Sequence, residues 1–521
     1  MNTDITQQKN NESPVSIVNY FIDSARKTPD AIAIDVDGVE YTYLELLGRA
    51  KVLAAELARN SKKFCVLYID NNIDRYIAVI ASLLANKTYV PISTKRGSIE
   101  RCLTIMSQID ADEACYIIAS EQQEKVATMR ENLASTALCL GKEHFACDEP
   151  QWQLPDKVVS RNGDAVMLFT SGSTGSPKGV LISHANIGAY LGNIMGWLQV
   201  KSDARFCHMA SYAFDCHIHD IFVPWFAGAR VCIFENHAHN NLFLSLREKG
   251  ITHSLLAPCV VNEFKRGGFN VPGFLPDMQV SLFGGEPVYS DILTYWANIA
   301  PNSDYFNVYG PTEATVIFTY QQWTPEQSGK VVPIGQPFPG HEVRVVDDKG
   351  NQVSAHEVGE LYLNGPQVSA GYYNHIEKVE SFAYFEDSPQ IWYRTGDYCK
   401  YDEQSRLTFE GRADDRLKVS GLRIERLELE NEIRKATGVS ALAVVPVGES
   451  NFCKTFAVFI APGQTTKSEF LHKCQQALPA RLCPGEVYIE ALPISQNLKV
   501  EYPKLKQRLK NMMMEPVEVI A

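Results

Sequence analysis

Short runs rich in Val, Ile and aromatic residues alternate along the chain with longer segments in which apolar residues recur at helical spacing. The run FCVLYID at 64–70 is apolar at almost every position, which is typical of a strand buried on both faces. A helical pattern, RYIAVIASLLAN, follows it, and then a second strand pattern, TYVPIS. This alternation predicts an α/β protein with a large N-terminal domain built on parallel or mixed sheets.

The pattern changes near residue 411, which divides the chain into two predicted domains. Before that point, a β-rich stretch from 341 to 366 predicts a subdomain made mostly of strands. After it, a helical pattern, two strand patterns (ALAVVPV and TFAVFIA) and a further helix indicate a small α+β unit. We therefore predict a core domain at 1–413 and a small second domain at 414–521, joined by a hinge.

The composition fits a folded protein and disfavours several classes of partner. Hydrophobic residues make up 45% of the 521 and charged residues 21%, which is ordinary for a globular chain. The formal net charge of −12 disfavours nonspecific binding to nucleic acid or to anionic membranes. No apolar run reaches the ~18 to 20 residues of a membrane span, and no signal-peptide pattern opens the chain. The 13 cysteines are scattered, so we expect free thiols in the cytoplasm.

Histidines are dense between Cys207 and His239, where His217 and His219 are followed directly by Asp220. A metal site is one hypothesis for this group, and the i, i+2 spacing of the two histidines suits a strand. No flanking cysteine or H-E-x-x-H pattern supports a metal, so a structural role stays open as the alternative.

The segment MLFTSGSTGSPKGVLISH, at 167–184, carries the most specific chemical signal. Two strand patterns flank a loop of Gly, Ser and Thr that ends at Pro177, Lys178 and Gly179. Small residues let backbone N–H groups approach a phosphate, and the hydroxyls and the ammonium add donors. The spacing does not match the Walker A pattern. A flexible surface linker is the alternative, but a linker between two buried strands has no need of the lysine.

SGSTGSPKG resembles the phosphate loop of the adenylate-forming superfamily, which includes acyl-CoA synthetases, luciferases and the adenylation domains of nonribosomal peptide synthetases. Four more segments resemble motifs of that family and follow in its order. They are NVYGPTEAT (307–315), GELYLNGPQVSAGYYN (359–374), YRTGDY (393–398) and GRADDRLKVSGLRIERLELE (411–430). The resemblance extends roughly from residue 40 to residue 505 and so covers nearly the whole chain.

The resemblance implies a site for ATP and Mg²⁺. ATP carries four negative charges, so such a site needs cations and backbone donors. The pyrophosphate end would be held by Thr170, Ser171, Gly172, Ser173, Thr174 and Lys178. The nucleoside end would be held by Asn307, Tyr309 (against adenine), Gly310, Thr312, Asp397 (at the ribose hydroxyls) and Arg412. Glu313 would bind Mg²⁺, which prefers carboxylate and phosphate oxygens.

Structural roles are the alternatives for two of these acidic residues. Asp397 follows Gly396 and could be an aspartate of a turn. Glu313 could be a glutamate at a helix N-terminus, where the dipole favours a negative charge.

The resemblance places the C-terminal catalytic lysine of the family at Lys499, in SQNLKVEYPKL. Its ammonium would lie between the substrate carboxylate and the α-phosphate, two anions that otherwise repel each other. The family usually has Asn-Gly-Lys here, whereas this chain has Leu498, which takes positive φ less easily than glycine. An exposed lysine without a role is the alternative, and Lys504 is the nearest rival.

A catalytic lysine on a second domain implies motion in this family. The small domain is expected to swing about the hinge residue Asp414 after adenylation and to withdraw Lys499. The 418–423 loop would then face a thiol, with Gly421 lining the thiol tunnel.

Asp215, in YAFDCHIHDIF, matches the aspartate with which amino-acid adenylation domains pair the α-ammonium of their substrate. Acyl-CoA synthetases accept neutral chains and need no such anion. A buried carboxylate is costly without a cationic partner, so we favour an α-amino acid as substrate. A helix-capping aspartate is the alternative interpretation.

Alignment with family pockets also assigns the wall around the substrate side chain. Its members would be Cys216, His219, Leu255, Leu282, Gly284, Val308, Val316 and Ile317, with Lys499 at the carboxylate end. This wall is largely aliphatic, so it excludes charged side chains and suits a small or medium apolar amino acid. The pattern resembles pockets for proline most closely, and pockets for leucine or valine are close to it.

The thiol acceptor is expected to be the phosphopantetheine of a separate carrier protein, because no carrier signature follows residue 505. The start at Met1 favours a free-standing enzyme over a domain excised from a larger synthetase. An acyl- or aryl-CoA synthetase, with coenzyme A as the thiol, is the main alternative function. A non-catalytic nucleotide-binding or scaffold protein is a second alternative, against which Lys178, Glu313, Asp397 and Lys499 argue.

Overall fold

The helices and strands follow the predicted alternation through most of the chain. The structure, a computed structural model, describes residues 15–514 apart from 71, 95–98, 134–138, 141–157, 161–162, 172–176, 235–238, 267, 326–330, 375–380, 386, 413–415, 420–421, 448–451, 454, 479–481 and 495–499. Two large sheets are followed by an antiparallel subdomain and by two small sheets. The α/β class predicted from the sequence is therefore confirmed.

The first large sheet has six strands and comes from the N-terminal part of the chain. The elements there are α1 (Val18–Lys27), β1 (Ile32–Val36), β2 (Val39–Thr42), α2 (Tyr43–Ala58), β3 (Phe64–Ile69), α3 (Ile73–Leu84), β4 (Thr88–Ile92), α4 (Ile99–Ser107), β5 (Ala114–Ala119), α5 (Gln123–Glu131), β6 (Cys139–Leu140), β7 (Asp164–Ser171), β8 (Pro177–Ser183) and α6 (His184–Leu198). The strand order is β6-β5-β3-β4-β7-β8, in which β8 runs antiparallel to β7 and the other pairs are parallel. Strands β3 and β5 are buried at every position, which explains their continuous apolar runs.

The second large sheet has nine strands. Its further elements are β9 (Arg205–His208), α7 (Cys216–Ala227), β10 (Arg230–Ile233), α8 (His239–Glu248), β11 (His253–Leu256), α9 (Pro258–Arg266), β12 (Val280–Phe283), α10 (Ser290–Ile299), β13 (Asp304–Tyr309), β14 (Thr319–Trp323) and β15 (Gln336–Pro337). The order is β15-β14-β13-β12-β11-β9-β10-β1-β2. The six strands from β13 to β1 in that order are parallel, and β2, β14 and β15 are antiparallel additions.

Helix α7 packs between the two sheets and corrects one expectation. The strand that the spacing of His217 and His219 suggested is wrong, because both residues lie in α7. Ile218, Ile221 and Phe222 recur at helical spacing in the same segment, and that signal decides the local structure. These three side chains belong to the largest buried cluster, which also takes apolar residues from α2, α3, α6 and both sheets.

An antiparallel subdomain follows, as the β-rich stretch predicts. Its strands are β16 (Glu342–Val346), β17 (Gly359–Asn364), β18 (Phe382–Phe385), β19 (Ser388–Tyr401) and β20 (Leu407–Arg412). They pair in the order β16-β17-β19-β18, and β20 also pairs with β19. Asp397 and Arg412 are register partners on β19 and β20, which brings a carboxylate beside a guanidinium.

The C-terminal elements have apolar cores of their own. They are β21 (Arg416–Val419), β22 (Leu422–Glu425), α11 (Arg426–Thr437), β23 (Leu442–Pro446), β24 (Phe452–Cys453), β25 (Phe456–Ile460), α12 (Lys467–Ala477), β26 (Glu486–Ile489) and α13 (Tyr502–Met514). Two clusters of buried side chains lie wholly between Leu429 and Leu509. The hydroxyl of Tyr289, before α10, donates to Asn431 on α11 and so connects this part to the rest of the chain.

The hinge residue Asp414 lies outside the described residues, so the division into 1–413 and 414–521 stays a prediction. The separate clusters after Leu429 agree with such a division. Within the described ranges, no helix combines the length and the apolar composition that crossing a membrane requires.

Candidate functional site

A buried carboxylate, Asp397, is the centre of one part of the candidate site. It is 4% exposed and accepts hydrogen bonds from the Tyr309 hydroxyl at 2.6 Å and from Arg412 Nη1 at 2.8 Å. Burial and the charge of Asp397 raise the pKa of Tyr309 well above its usual value, so the hydroxyl stays protonated and donates. Because Asp397 lies inside strand β19, the turn alternative is wrong. The fold thus brings together three residues predicted to bind a nucleoside.

Two other residues predicted for the nucleoside are fixed by close contacts to the backbone. Asn307 is 2% exposed, and its Nδ2 donates to the carbonyl oxygens of Val332 and Pro333, both at 2.9 Å. A Cβ on Gly310 would overlap the carbonyl oxygen of Val316, so glycine is required there. Both residues fix the course of the chain beyond β13, and their contact with a nucleotide stays a prediction.

Glu313 lies in a short 3-10 turn, Thr312–Ala314, and is 7% exposed. Its carboxylate accepts a hydrogen bond from the Tyr372 hydroxyl at 2.8 Å. The ammonium of Lys178 lies 5.4 Å from the centroid of the Tyr372 ring, a cation–π contact. A turn of three residues has no appreciable dipole, so the helix N-terminus alternative for Glu313 is wrong.

Tyr372 is a functional candidate to which the sequence analysis assigned no role. Its ring and hydroxyl connect the predicted metal ligand, Glu313, with the predicted phosphate lysine, Lys178. Thr170 and Lys178 are register partners on β7 and β8, and Val180 of β8 forms a bridge with Tyr372. Tyr372 lies in the segment GELYLNGPQVSAGYYN, which was the available signal. Its partners are distant in sequence, so only the fold identifies them.

The described residues fit Mg²⁺ through a single carboxylate. Among them, no three His, Cys, Asp or Glu side chains group into a complete metal site. Mg²⁺ commonly binds proteins through one or two carboxylates and completes its shell with phosphate oxygens and water, which the Glu313 carboxylate allows. Asp220, of the group considered for a metal, instead pairs with His208 at 2.9 Å, and both side chains are 2% exposed.

The two histidines of α7 also have protein partners. His217 lies 2.7 Å from the Tyr89 hydroxyl, and His219 lies 2.7 Å from the Tyr190 hydroxyl. Burial lowers the pKa of each histidine to about 3, so both rings are neutral. Nδ1 of His217 contacts the Phe214 carbonyl, which can only accept, so Nδ1 carries the hydrogen and Nε2 accepts from Tyr89. These contacts fix the start of α7.

Asp215 lies directly before α7 and is half-buried. Asp215 is the N-cap residue of α7 and makes no side-chain capping hydrogen bond, although its carboxylate accepts a hydrogen bond from the N–H of Cys216, the first residue of the helix. The position fits the helix-cap alternative, whereas the capping hydrogen bond that defines such a role is not made. Burial raises the pKa of Asp215 to about 6; a hydrogen bond with Thr312 opposes this, and the charge of Glu313 adds to it. No basic side chain within the described residues forms an ion pair with Asp215. A cation brought by a ligand would stabilise its ionised form.

The residues predicted for the substrate side chain collect on the second sheet beside α7. Leu255 and Leu282 are register partners on β11 and β12. A Cβ on Gly284 would lie 2.7 Å from the carbonyl oxygen of Val308, so the backbone of β13 passes close there. Three members of the set are half-buried (Cys216, Leu255 and Gly284), and five are buried (His219, Leu282, Val308, Val316 and Ile317). The set is largely aliphatic, the ring of His219 is neutral, and the role of the set as a wall around the substrate stays a prediction.

Several predicted residues lie outside the described residues. They are Gly172, Ser173, Thr174, Asp414, Gly421 and Lys499, and the side chain of Ser171 is not described either. Thr170 and Lys178 border the loop from either side. The phosphate-binding role of the loop and the catalytic role of Lys499 therefore stay predictions.

The profile of the family described as AMP-binding enzyme matches residues 21–373, more than half of the chain. The chain therefore belongs to that family, and the resemblance found in the sequence is confirmed. One of the linear gramicidin synthase proteins of Brevibacillus parabrevis is 30% identical over 508 residues, which cover 94% of this chain and 10% of that protein. This chain thus spans about a tenth of the length of that curated relative.

Two solved structures share the fold. The adenylation domain AlmE of Vibrio cholerae, solved with glycyl-adenosine-5'-phosphate, is 22% identical with a TM-score of 0.70, over 98% of this chain and 100% of that one. O-succinylbenzoate coenzyme A synthetase (MenE) of Bacillus subtilis, solved with ATP and a magnesium ion, is 20% identical with a TM-score of 0.79, over 94% and 99% of the two chains. At this identity the likeness shows the shared fold.

Replacing Asp397 by Asn is expected to weaken AMP binding at least tenfold, or about 1.4 kcal/mol. The carboxylate would offer two acceptors to the ribose hydroxyls, and the amide removes one of them together with the charge that orients Arg412. Titration calorimetry with AMP measures the change. Glu360→Gln is the matched control, because Glu360 is a buried carboxylate on the neighbouring strand that pairs with Arg394 at 2.8 Å. Equal affinity losses in the two variants would contradict the assignment.

Proposed function

We propose that this protein is an enzyme that activates an amino acid with ATP and Mg²⁺. The products of the first step are aminoacyl-AMP and pyrophosphate. In a second step the acyl group passes to the phosphopantetheine thiol of a separate carrier protein. The observation that carries the proposal is Asp215, a half-buried carboxylate beside Thr312 and Glu313 for which the described residues supply no cation. An α-ammonium is the complementary group, and the synthase relative named above supports this substrate class.

In the first step, a carboxylate oxygen of the amino acid attacks the α-phosphorus of ATP. A P–O bond forms there as the bond to the β-phosphate oxygen breaks, and pyrophosphate leaves. Asp397, with Tyr309 and Arg412, holds the nucleoside so that the phosphates extend toward Lys178. Lys499 is proposed to neutralise the charge between the two reacting anions. Mg²⁺, held by Glu313, supplies charge neutralisation on the phosphates when it is bound.

In the second step, the thiolate sulfur of the carrier attacks the carbonyl carbon of the aminoacyl-AMP. A C–S bond forms, the C–O bond to the phosphate breaks, and AMP leaves. The small domain is proposed to turn about Asp414 between the two steps and to bring the 418–423 segment, with Gly421, to the thiol. The proposed compartment is the cytoplasm, because none of the ten described cysteines for which a state is assigned forms a disulfide.

The proposed substrate is a small or medium apolar amino acid, with proline the first candidate. The apolar wall contains no charge that could pair with a charged side chain, and the neutral ring of His219 is already bonded to Tyr190. A substrate with a charged side chain would leave that charge unpaired in the pocket. Hydrophobic pockets separate near-isosteres by only about 1 to 3 kcal/mol, so leucine and valine are the nearest competitors.

A panel of amino acids in an ATP–pyrophosphate exchange assay tests the proposed function. Exchange is expected with small or medium apolar amino acids, highest with proline, and Asp215→Asn is expected to lower kcat/KM at least tenfold because the ammonium loses its anion. Asp291→Asn, at the start of α10, is the matched control at another helix start. The proposal would be contradicted if exchange occurred with fatty or aryl acids and had the same rate in Asp215→Asn. That result would support an acyl- or aryl-CoA synthetase.

The pH dependence provides a separate test of Asp215. Because its pKa in the free protein is raised to about 6, the carboxylate is ionised above that pH and protonated below it. We expect kcat/KM for the amino acid to fall about tenfold per pH unit below pH 6. The decline in kcat is expected at a lower pH than the decline in kcat/KM, because the ammonium of the bound amino acid favours the ionised form of Asp215 and so lowers its pKa. An unchanged acid limb in Asp215→Asn would rule out this residue as its source.

Replacing Lys499 by Gln is expected to slow the exchange reaction by about 2 to 4 kcal/mol, or about 30- to 1000-fold. Transfer from synthetic aminoacyl-AMP to the carrier is expected to change far less, because the proposed rotation of the small domain withdraws Lys499 from the reacting groups before that step. Lys504→Gln is the control, since the Lys504 side chain is exposed and paired with Glu501. Equal losses in both half-reactions would argue against the proposed role of Lys499.

A further inference from the structure

Two adjacent residues between the turn of Glu313 and the predicted pocket have a strained backbone. Thr315 and Val316 have φ values of 57° and 69°, in the left-handed region that β-branched residues rarely adopt. Such a conformation is unfavourable for a β-branched residue and persists only where the surroundings impose it. The strain lies two residues after the predicted metal ligand, at the point where the chain enters the wall formed by Val316 and Ile317.

The side chain of Gln367 imposes this conformation. It is 0% exposed, and its Nε2 lies 2.8 Å from the carbonyl oxygen of Ile317, 3.2 Å from that of Thr315 and 3.3 Å from that of Ala314, so its two N–H groups are shared among three acceptors. Its Oε1 accepts a hydrogen bond from Asn193 of α6 at 3.0 Å, which orients the amide. The Thr315 hydroxyl donates back to the Gln367 carbonyl at 2.7 Å. One buried amide thus holds three carbonyl groups of the strained segment.

The segment that carries Gln367 is itself fixed. Nδ2 of Asn186, in the first turn of α6, donates to the carbonyl oxygens of Pro366 at 2.7 Å and Val368 at 3.0 Å. The Ser369 N–H donates to the carbonyl oxygen of Glu313 at 2.8 Å. Gln367 therefore acts from a rigid support, with a hydrogen bond to the backbone on each side of it.

We propose that Gln367 is a positioning residue that sets amino-acid selectivity by holding Val316 and Ile317 in place. Gln367 belongs to neither the predicted substrate residues nor the predicted nucleotide residues, and it acts through the backbone of 314–317. The inference rests on the proposed function, because it takes these two residues as part of the substrate pocket. An apolar wall discriminates between substrate side chains by its position. Loss of the hydrogen bonds from the Gln367 side chain is therefore expected to reduce the discrimination between similar amino acids.

The effect is expected on the amino-acid side of the site and much less on the ATP side. Glu313 keeps two contacts that do not involve Gln367: the Tyr372 hydroxyl on its carboxylate and the Ser369 N–H on its carbonyl oxygen. Asp397 and its partners lie on another pair of strands. A general loss of folding would weaken the binding of the amino acid and of ATP together. A loss that affects only the amino acid therefore indicates positioning and not stability.

Gln367→Leu keeps the approximate size of the side chain and removes the hydrogen bonds that the side-chain amide makes. In ATP–pyrophosphate exchange we expect KM for the preferred amino acid to rise at least tenfold. The ratio of kcat/KM between that amino acid and a homologue one methylene larger or smaller is expected to fall at least fivefold, with KM for ATP changed less than twofold. A folded variant that retains the selectivity ratio, or that loses affinity for ATP and amino acid equally, overturns the proposal.

Two further variants keep the test decisive. Asn193→Ala, at a half-buried helix position, removes the hydrogen bond that orients the Gln367 amide. The ratio of kcat/KM values is expected to fall in this variant too, by a smaller factor. This variant provides the test even if Gln367→Leu fails to fold. Asn364→Leu is the matched control, because its buried amide donates to the Ile391 carbonyl at 2.7 Å outside the site. An unchanged ratio in Asn193→Ala, or the same change in Asn364→Leu, contradicts the proposal. Should the wild type activate a fatty or aryl acid instead, the proposed function fails, and the same ratios are measured with that acid.

Discussion

Three carboxylates lie at the candidate site, although the proposed substrate ATP is itself an anion. The negative charge of each carboxylate therefore needs a partner of its own. Asp397 is paired with the guanidinium of Arg412. Glu313 receives a neutral phenol, Tyr372, which orients the carboxylate and leaves its charge available to a cation. Asp215 has its pKa raised by burial and by the charge of Glu313. In the proposed function, Arg412 is the permanent cation beside Asp397, Glu313 would take a metal ion, and Asp215 would take the ammonium of the substrate.

The fold fixes these groups by burying polar contacts behind them. Helix α7, which begins beside Asp215, is held between the sheets by hydrogen bonds of two neutral histidines to tyrosine hydroxyls. The strained segment 314–317 is held by the amide of Gln367. In both cases a buried polar side chain has partners inside the protein, and the cost of losing such a partner makes the geometry well defined.

The sequence predicted the site best where a function requires particular residue types in a continuous segment. The loop after Thr170 and the aspartate of YRTGDY were assigned from continuous segments, the loop from its small residues and donors and the aspartate from the family resemblance, and their contacts with a nucleotide stay predictions. The helix around His217 was not predicted, because the i, i+2 spacing of the two histidines favours a strand, whereas the buried Ile218, Ile221 and Phe222 recur at helical spacing. Tyr372 and Gln367 lie in the motif segment at 359–374, but their hydrogen-bond partners come from a distant part of the sequence. The sequence alone therefore does not reveal their roles.

By itself, the sequence determined the α/β class, the order of the motifs, the family and the residue types of the site, since periodicity and local spacing are properties of neighbours along the chain. The tertiary structure decided which groups meet. It placed Arg412 on Asp397 and Tyr372 on Glu313, and it left Asp215 without a cation among the described residues. Burial and distance between remote segments set pKa values and hydrogen-bond partners, and neither quantity exists until the chain is folded.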